Sequence, residues 1–251
     1  MIELKNITKE FSTPRGRLSV LKDFNLKIEA GTFLGLEGKS GAGKSTLLSI
    51  IAGLQKPDAG QVFLGQPGVN IHTLTDKELS AFRNKNIGFI SQEQSFLENL
   101  TVLDNVRLPA FLAKKSSTVM LNTSTSSARR LFQHPSKEIP KQVRNDFDVK
   151  ITERALNLLE SLGIAGLAKS FPRDLSGGEN HRLLIARALM NNPDYILADE
   201  PTDSVDSEQT QAIIKIFRRL ADEGKTILIA SHDKDALKLC DISMTVPGSN
   251  R

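Results

Sequence analysis

Short apolar runs separated by polar turns fill the first part of the chain. Ile2 to Ile7 and Val20 to Ile28 distribute their apolar residues as strands do, and Phe33 to Leu36 is a continuous apolar run. The last run leads into a glycine-rich turn, and a helix-like stretch begins at Lys44. The pattern therefore predicts a strand, a turn and a helix in immediate succession.

A second helix and strand are predicted further along. Thr75, with Glu78 three positions later, has the pattern of a capping box and predicts a helix through about Arg83. The segment Ile87 to Ser91 is rich in residues that favour strands and follows that helix. Helix and strand thus continue to alternate.

The last third of the chain repeats this alternation. Tyr195 to Ala198 and Thr226 to Ala230 are short apolar runs that predict buried strands, and a helix between them ends at Gly224. Apolar residues at helical spacing predict the buried face of that helix, namely Ala212, Ile213, Ile216, Phe217 and Leu220. Buried strands that alternate with helices predict an α/β fold with a mostly parallel sheet.

The segment from Ala113 to Lys150 breaks the pattern. Eight of the twelve residues from Ser116 to Ser127 are Ser or Thr, and the whole segment holds eight Lys or Arg against three Asp or Glu, a charge of +5. Helical periodicity returns at Ile151 and stops at Gly163. The composition favours a solvated, partly disordered insertion, and a contact for a partner or for anionic lipid headgroups is the alternative interpretation.

Composition and charge remove several functional classes. Aromatic residues make up 5% of the 251 residues, with no Trp and one Tyr, so base-stacking platforms and a nucleic-acid partner are not expected. The net charge of +4 comes from the basic segment, because the rest of the chain sums to −1. The single cysteine, Cys240, fits a reducing, cytoplasmic setting. Since no apolar run approaches the roughly 18 residues of a membrane-spanning helix, we expect a chain that neither spans a membrane nor is secreted.

The glycine-rich turn carries the first candidate chemistry. Gly38 to Ser45 reads G-x-x-x-x-G-K-S between a predicted strand and a predicted helix, which is the pattern of a phosphate-binding loop. Its backbone N–H groups and the positive end of the helix dipole suit phosphate oxygens. Lys44 would reach the β- and γ-phosphates of a nucleotide, and Ser45 would ligate Mg²⁺.

Two carboxylates follow the strand Tyr195 to Ala198. Parallel strands of one sheet would place Asp199 and Glu200 beside the phosphate loop. Asp199 suits a magnesium ion and Glu200 an attacking water, while the plainer interpretation is that one of them caps the turn at Pro201. Together the two motifs indicate a nucleotide hydrolase and leave kinases, GTPases and ATPases open.

A third motif distinguishes between kinases, GTPases and ATPases, namely Leu175-Ser176-Gly177-Gly178-Glu179. The segment resembles the signature sequence of ATP-binding cassette (ABC) ATPases, and its distance before Asp199 agrees with that family. A serine and two glycines that open a helix would present a second set of N–H groups to phosphate, although a lone Ser-Gly-Gly is commonly only a helix cap. The resemblance covers roughly residues 1–112 and 151–246. The chain departs from the usual family residues at Lys39, at Asp203 and at Glu179 to His181.

The resemblance assigns roles to further residues. Gln92 looks like the Q-loop glutamine, His232 like the switch histidine and Asp206 like the D-loop aspartate, while Phe11 lies where the family places an aromatic residue against adenine. The implied catalytic residues are Glu200, His232, Lys44 and Gln92, and the implied ligands of Mg²⁺ are Ser45, Gln92 and Asp199. The implied contacts of ATP are Phe11, Gly38, Lys39, Ser40, Gly41, Ala42, Gly43, Lys44, Ser45, Thr46, Ser176, Gly177, Gly178, Glu179 and Asp206.

The fold that the resemblance implies is a P-loop NTPase of the α/β class. It has an ABC-type ATPase core, an antiparallel β edge at the amino end and a helical subdomain at about 93–173. The chain, 1–251, is expected to be a single ABC ATP-binding domain with a basic, Ser/Thr-rich insertion at about 113–150. The implied activity is Mg²⁺-dependent hydrolysis of ATP.

Three segments resemble one subgroup of that family. Thr73 to Leu79, Ile87 to Gln92 and Leu100 to Val106 are similar to the macrolide-exporter, lipoprotein-releasing and FtsE-like ATPases. This implies a homodimer that closes on ATP and drives integral membrane permease subunits from the cytoplasmic side of the inner (plasma) membrane. Contact with the membrane would be indirect, through the permease, or would involve the segment 113–150.

Two other functions stay open at this point. An FtsE-like ATPase would regulate a cell-envelope membrane complex without transporting a substrate. A soluble ABC ATPase of DNA repair or translation fits less well, because such chains usually carry long coiled coils or two cassettes in tandem, and the sequence shows neither.

Overall fold

The chain folds as two compact units. The computed structural model describes residues 1–14, 16–39, 41–93, 95–121, 141–203 and 205–247. The first unit comprises Met1–Ser95 and Asn192–Arg251, and the second comprises Phe96–Asn191. The sequence predicts that a helical subdomain ends near Arg173, whereas the second unit continues to Asn191 because the helix after the signature segment packs on the two helices before it.

Strands and helices alternate along the described chain. The strands are β1 (Ile2–Thr13), β2 (Gly16–Ile28), β3 (Phe33–Glu37), β4 (Ala59–Leu64), β5 (Val69–Asn70), β6 (Ile87–Ile90), β7 (Tyr195–Asp199), β8 (Thr226–Ala230) and β9 (Ile242–Thr245). The helices are α1 (Lys44–Ile51), α2 (Asp76–Asn86), α3 (Val102–Leu121), α4 (Lys141–Ser161), α5 (Gly177–Leu189), α6 (Ser207–Asp222) and α7 (Lys234–Leu237). The capping box predicted at Thr75 and Glu78 is present at the start of α2.

A parallel sheet in the order β6-β7-β8-β3-β9 forms the centre of the first unit. Each neighbouring pair in it is parallel. Every residue of β7 and β8 is buried, which explains why their sequences are continuous apolar runs instead of alternating ones. The predicted α/β class with a mostly parallel sheet is confirmed.

An antiparallel sheet in the order β2-β1-β4-β5 forms the predicted amino-terminal edge. Its hairpin is longer than the apolar pattern indicates, because β1 continues past Ile7 to Thr13 and β2 begins at Gly16 instead of Val20. The residues in this extension are partly or fully exposed. Backbone pairing between the two strands therefore holds the extension in place, without the burial that the sequence pattern detects.

Helix α6 buries a face that is shifted from the predicted one. Ile213, Phe217 and Leu220 are buried as expected, but Ala212 is exposed and Ile214 is buried in its stead. The buried set begins two residues earlier than predicted, at Thr210, and follows the spacing of a single helical stripe. The prediction missed this because a buried threonine looks polar in sequence.

Helices α3, α4 and α5 pack on one another in the second unit. Helices extend into both ends of the segment 113–150, because α3 continues to Leu121 and α4 already begins at Lys141. Backbone hydrogen bonds carry each helix beyond its apolar stretch into polar sequence, where side-chain periodicity gives no signal. Residues 122–140 lie outside the described residues, and the suggested contact of this segment with a partner or lipid stays a prediction.

In the described part of the chain, no helix combines the length and the apolar character needed to cross a membrane.

Asn105 fastens the loop before α3 to that helix. Although the residue is fully buried, its side-chain amide is satisfied. Its Oδ1 accepts a hydrogen bond from the Leu97 N–H at 3.0 Å, and its Nδ2 donates to the carbonyls of Leu97, Leu100 and Thr101 at 3.0–3.2 Å. One side chain thus pairs with backbone groups of the turn before α3 and of the start of that helix.

We expect Asn105→Leu, which keeps the branched shape of the side chain but removes its polar atoms, to lower the free energy of unfolding by about 2–4 kcal/mol, because the Leu97 N–H and the Leu100 carbonyl lose this partner. Urea denaturation followed by circular dichroism measures this. Asn157→Ala, at an exposed position on α4, is the control and should stay within about 0.5 kcal/mol of the wild type. An Asn105→Leu chain as stable as the control would show that the clamp is dispensable.

Candidate functional site

The phosphate loop joins β3, which ends at Glu37, to α1, which begins at Lys44. Gly43 precedes the helix in a left-handed conformation (φ 97°), and a Cβ there would come within 2.7 Å of Cγ1 of Val20. Both facts restrict the position to glycine. No side chain of the described residues caps the first turn of α1, so its N–H groups are available to an anion. Ser40 lies outside the described residues.

Lys44 is a buried cation, with 7% of the residue exposed. Its Nζ donates a hydrogen bond to the carbonyl of Gly38 at 2.8 Å and lies 3.6 Å from Oε1 of Glu200. A buried ammonium group needs such partners because removing it from water carries a large free-energy penalty. The two acceptors therefore hold the lysine charge at the loop.

Asp199 ends β7 and is as buried as the lysine. Its carboxylate has a side-chain hydrogen bond with Ser45, while Oδ1 has no hydrogen-bond partner among the described residues. Burial raises the pKa of Asp199; the Ser45 hydrogen bond and Lys44 oppose the shift, and the charge of Glu200 adds to it. A buried carboxylate oxygen without a donor, beside a hydroxyl group, is a donor set that suits Mg²⁺.

Glu200 connects the lysine to His232. Its Oε2 lies 2.9 Å from Nδ1 of His232 and accepts from the backbone N–H of His232 at 3.3 Å, while Oε1 faces Lys44. The Glu200 side chain is 12% exposed and that of His232 is 69% exposed. Glu200 also has a left-handed backbone, with φ 46°, which costs a non-glycine residue about 1–3 kcal/mol and is typical of functional positions.

Gln92 and Asp203 meet at the edge of the same site. Gln92 is exposed on the segment after β6, and its Nε2 donates to Oδ2 of Asp203 at 3.4 Å. The backbone N–H of Asp203 donates to the carbonyl of Glu200 at 3.1 Å. In the sequence, Asp203 stands out only as a departure from the usual family residue, and nothing in the local sequence links it to Gln92.

A cleft of about 630 Å³ is lined by most of these groups but not by Asp199, and its volume lies within the range of small-molecule sites. Its lining includes the predicted residues Gly41, Ala42, Gly43, Lys44, Ser45, Thr46, Gln92, Glu200 and His232. It also includes Leu18, Val20 and Asp203, which sequence analysis did not assign. No sequence motif marks Leu18 or Val20, and Val20 reaches the loop by packing on Gly43, a contact between distant parts of the chain.

Phe11, Gly38 and Lys39 are not among the residues that line the cleft. Phe11 is paired directly with Leu18 across the β1–β2 hairpin, so the two side chains are on the same face of the sheet. The carbonyl of Lys39 accepts a hydrogen bond from the Ala42 N–H at 3.0 Å, which shapes the loop. The adenine contact assigned to Phe11 stays a prediction.

The signature residues lie in the second unit, at the start of α5. Ser176 and Glu179 form a capping box: the Ser176 N–H and Oγ donate to the Glu179 carboxylate at 2.7 and 2.8 Å, and the Glu179 N–H donates to Ser176 Oγ at 3.4 Å. These hydrogen bonds lower the pKa of Glu179, and the one from the Ser176 backbone N–H has the largest effect. The helix-cap interpretation is thus realised in the fold, and the nucleotide role of Ser176 to Glu179 stays a prediction.

Asp206 caps another helix. Its Oδ1 accepts from the N–H of Gln209 at 2.8 Å at the start of α6, and its Oδ2 accepts from the Gln209 side chain at 2.7 Å. The backbone N–H of Gln209 is the main reason why the pKa of Asp206 is low. Asp206 does not line the cleft of the first unit, and its contact with ATP stays a prediction.

Similarity to known proteins identifies the family of the chain. A family model described as ABC transporter matches residues 21–203. The lipoprotein-releasing system ATP-binding protein LolD of Bacteroides thetaiotaomicron is 39% identical over 96% of this chain and 94% of its own length. The macrolide export ATP-binding/permease protein MacB of Rhodopirellula baltica is 37% identical over 96% of this chain, which corresponds to 31% of that protein.

A solved structure gives the same result for the fold. The dimeric, post-hydrolysis state of the ATP-binding cassette MJ0796 bound to ADP and Pi matches with a TM-score of 0.75 and 31% identity, over 100% of this chain and 97% of that one. The recognised fold, the α/β ABC ATPase core, is therefore confirmed. With its phosphate loop, its acidic strand end and these relatives, the chain belongs to the ABC transporter family of ATP-binding, ATP-hydrolysing subunits.

Proposed function

We propose that this chain is the ATP-hydrolysing subunit of an ABC transporter complex, in which two copies close on ATP and act on a membrane permease of the lipoprotein-release or macrolide-export type. The observation that carries this proposal is the convergence of Lys44, Glu200 and His232 within one cleft. A phosphate-binding lysine beside a carboxylate and a histidine suits the attack of water on a terminal phosphate.

The chemistry of each side chain suggests its part in the reaction. Lys44 would bind the β- and γ-phosphates and offset their charge as the bond to the γ-phosphate breaks. Glu200, whose two oxygens face Lys44 and His232, would orient the attacking water and accept its proton. The exposed ring of His232 would contact the γ-phosphate.

Ser45, Asp199 and Gln92 would hold Mg²⁺. The fit rests on the buried Oδ1 of Asp199, which lacks a donor among the described residues, and on the hydroxyl of Ser45 beside it. Bound there, Mg²⁺ supplies positive charge that offsets the charge on the phosphate oxygens. The same ion would satisfy Oδ1 of Asp199, which has no hydrogen-bond partner among the described residues.

The signature residues have a purpose in a dimer. Ser176 to Glu179 open α5 in the second unit, and we propose that they meet the nucleotide held by a partner copy. The dimeric relative with ADP and Pi supports this arrangement. Because Ser176 now donates both its N–H and its hydroxyl to Glu179, a partner's phosphate would replace the Glu179 carboxylate as their acceptor.

The relatives suggest what the ATPase drives. LolD is named for a lipoprotein-releasing system and MacB for macrolide export through its own permease. By this analogy the chain would work on permease subunits at the cytoplasmic side of the inner membrane. Purification of the complex with its membrane subunits would identify the cargo, because the permease contacts it.

Asp199→Asn tests the magnesium site. We expect the variant without ligand to unfold at a temperature no lower than the wild type, because a buried charge is removed. In the wild type, ATP with Mg²⁺ should raise the unfolding temperature more than ATP with EDTA does. In the variant this difference should disappear. Asp194→Asn is the control, because it makes the same change at an exposed aspartate directly before β7. This variant should retain the magnesium effect. A variant that keeps the full effect would remove Asp199 from the ligand set.

Glu200→Gln tests the hydrolytic role. We expect ATP turnover, measured as phosphate release, to fall at least about 100-fold, because proton acceptance by a positioned base contributes that much or more. Affinity for a fluorescent ATP analogue should change little, since Lys44 and the loop remain. Glu208→Gln, at an exposed position on α6, is the matched control. Turnover within about twofold of wild type, worth only about 0.4 kcal/mol of barrier, would refute the assignment.

Mixed dimers test whether two copies share each site. Lys44→Ala and Ser176→Arg should each inactivate their own homodimers, because one removes the phosphate contact and the other blocks the opposing helix start. A mixture of the two would contain heterodimers with one intact composite site, so we expect partial recovery of ATPase activity. Cross-linking that places Ser176 beside the nucleotide of its own chain would instead rule out sharing.

A further inference from the structure

Asp203 is the third carboxylate counted from Asp199, the last residue of β7. Asp199 and Glu200 have the contacts already described, whereas Asp203 lines the cleft and pairs with Gln92. Its backbone N–H donates to the Glu200 carbonyl at 3.1 Å, so the turn fixes where the Asp203 side chain begins. The carboxylate therefore has a defined position at the edge of the nucleotide cleft.

The chemistry of the pair determines which way the Gln92 amide faces. A glutamine amide can present either its oxygen or its nitrogen, but a carboxylate can only accept hydrogen bonds. Nε2 of Gln92 lies 3.4 Å from Oδ2 of Asp203 and is the atom that can donate to it. The amide oxygen Oε1, on the other branch of the same planar group, consequently faces away from Asp203.

We infer that Asp203 is a positioning residue that sets the Gln92 amide with its oxygen available to the cation of the nucleotide site. The inference rests on the proposed function, in which Gln92 is a ligand of Mg²⁺. Mg²⁺ takes oxygen ligands, so an amide that presented its NH₂ group would repel the ion. An exposed Gln92 side chain that was free to move would lose rotamer freedom when Mg²⁺ binds. An orientation that is already fixed avoids this entropy cost and raises the affinity of the site for Mg²⁺.

A competing role for Asp203 predicts something different. A carboxylate at the cleft edge would also repel nucleotide phosphates, and this effect would need no help from Gln92. If charge alone mattered, removing Asp203 would tighten nucleotide binding in the absence of Mg²⁺. If positioning matters, the change should appear in the magnesium dependence and only while Gln92 is present.

The experiment is a titration of Mg²⁺ at a fixed concentration of the non-hydrolysable analogue β,γ-imido-ATP, with binding followed by calorimetry. Asp203→Ala should raise the Mg²⁺ concentration at half-saturation by about tenfold, the size of effect typical for removing a group that orients a metal ligand. Binding of the analogue in EDTA should stay within about twofold of wild type. In a Gln92→Ala background, Asp203→Ala should have no further effect, because there is no amide left to orient.

Controls separate this inference from the proposed function. Asp222→Asn removes one negative charge at an exposed position on α6, where Asp222 pairs with Arg218, and should leave the magnesium titration unchanged. An unaltered half-saturation in Asp203→Ala, or an equal shift with and without Gln92, would overturn the positioning role while Mg²⁺-dependent binding by the wild type still stands. A wild-type chain whose nucleotide binding ignores Mg²⁺ would overturn the proposed function and this inference together.

Discussion

The parallel hydrogen-bonded register of β6, β7, β8 and β3 is the constraint on which the cleft depends. Ala230 of β8 lies between Asp199 of β7 and Leu36 of β3, and pairing continues one step beyond the strand ends, where the Glu200 N–H donates to the Ala230 carbonyl and the Ser231 N–H to that of Leu36. Parallel strands end on the same edge, so each leaves its first loop residues there. A slip of one residue in any pair would turn the functional side chains to the wrong face.

Several features of the site are energetically unfavourable, and burial of apolar residues in the core offsets their cost. Lys44 and Asp199 are buried ions, Glu200 has a left-handed backbone, and one oxygen of Asp199 has no partner among the described residues. Each feature raises the free energy of the folded chain. The fully buried strands β7 and β8 and helix α1 supply the burial that holds such a site together.

The two helix starts proposed to bind phosphate differ in their caps. Gly43 leads into α1 without a side-chain cap among the described residues, so the first N–H groups are available to an anion. Ser176 leads into α5 with a capping box, in which the Glu179 carboxylate already accepts from Ser176. The first helix start therefore has N–H groups available to an anion, whereas at the second the Ser176 donors are already paired with Glu179.

Local sequence alone determined the elements and motifs whose signals are short-range. The phosphate loop, the capping box at Thr75, the buried runs of β7 and β8 and the family itself could all be predicted, because glycines, caps and apolar runs act over a few residues. Only the tertiary structure decided that Asp203 holds Gln92 and that Val20 packs on Gly43, since those partners come from separate strands and loops. It also decided which face of α6 is buried and how far α3 and α4 extend, because packing and backbone hydrogen bonding, unlike side-chain pattern, set these limits.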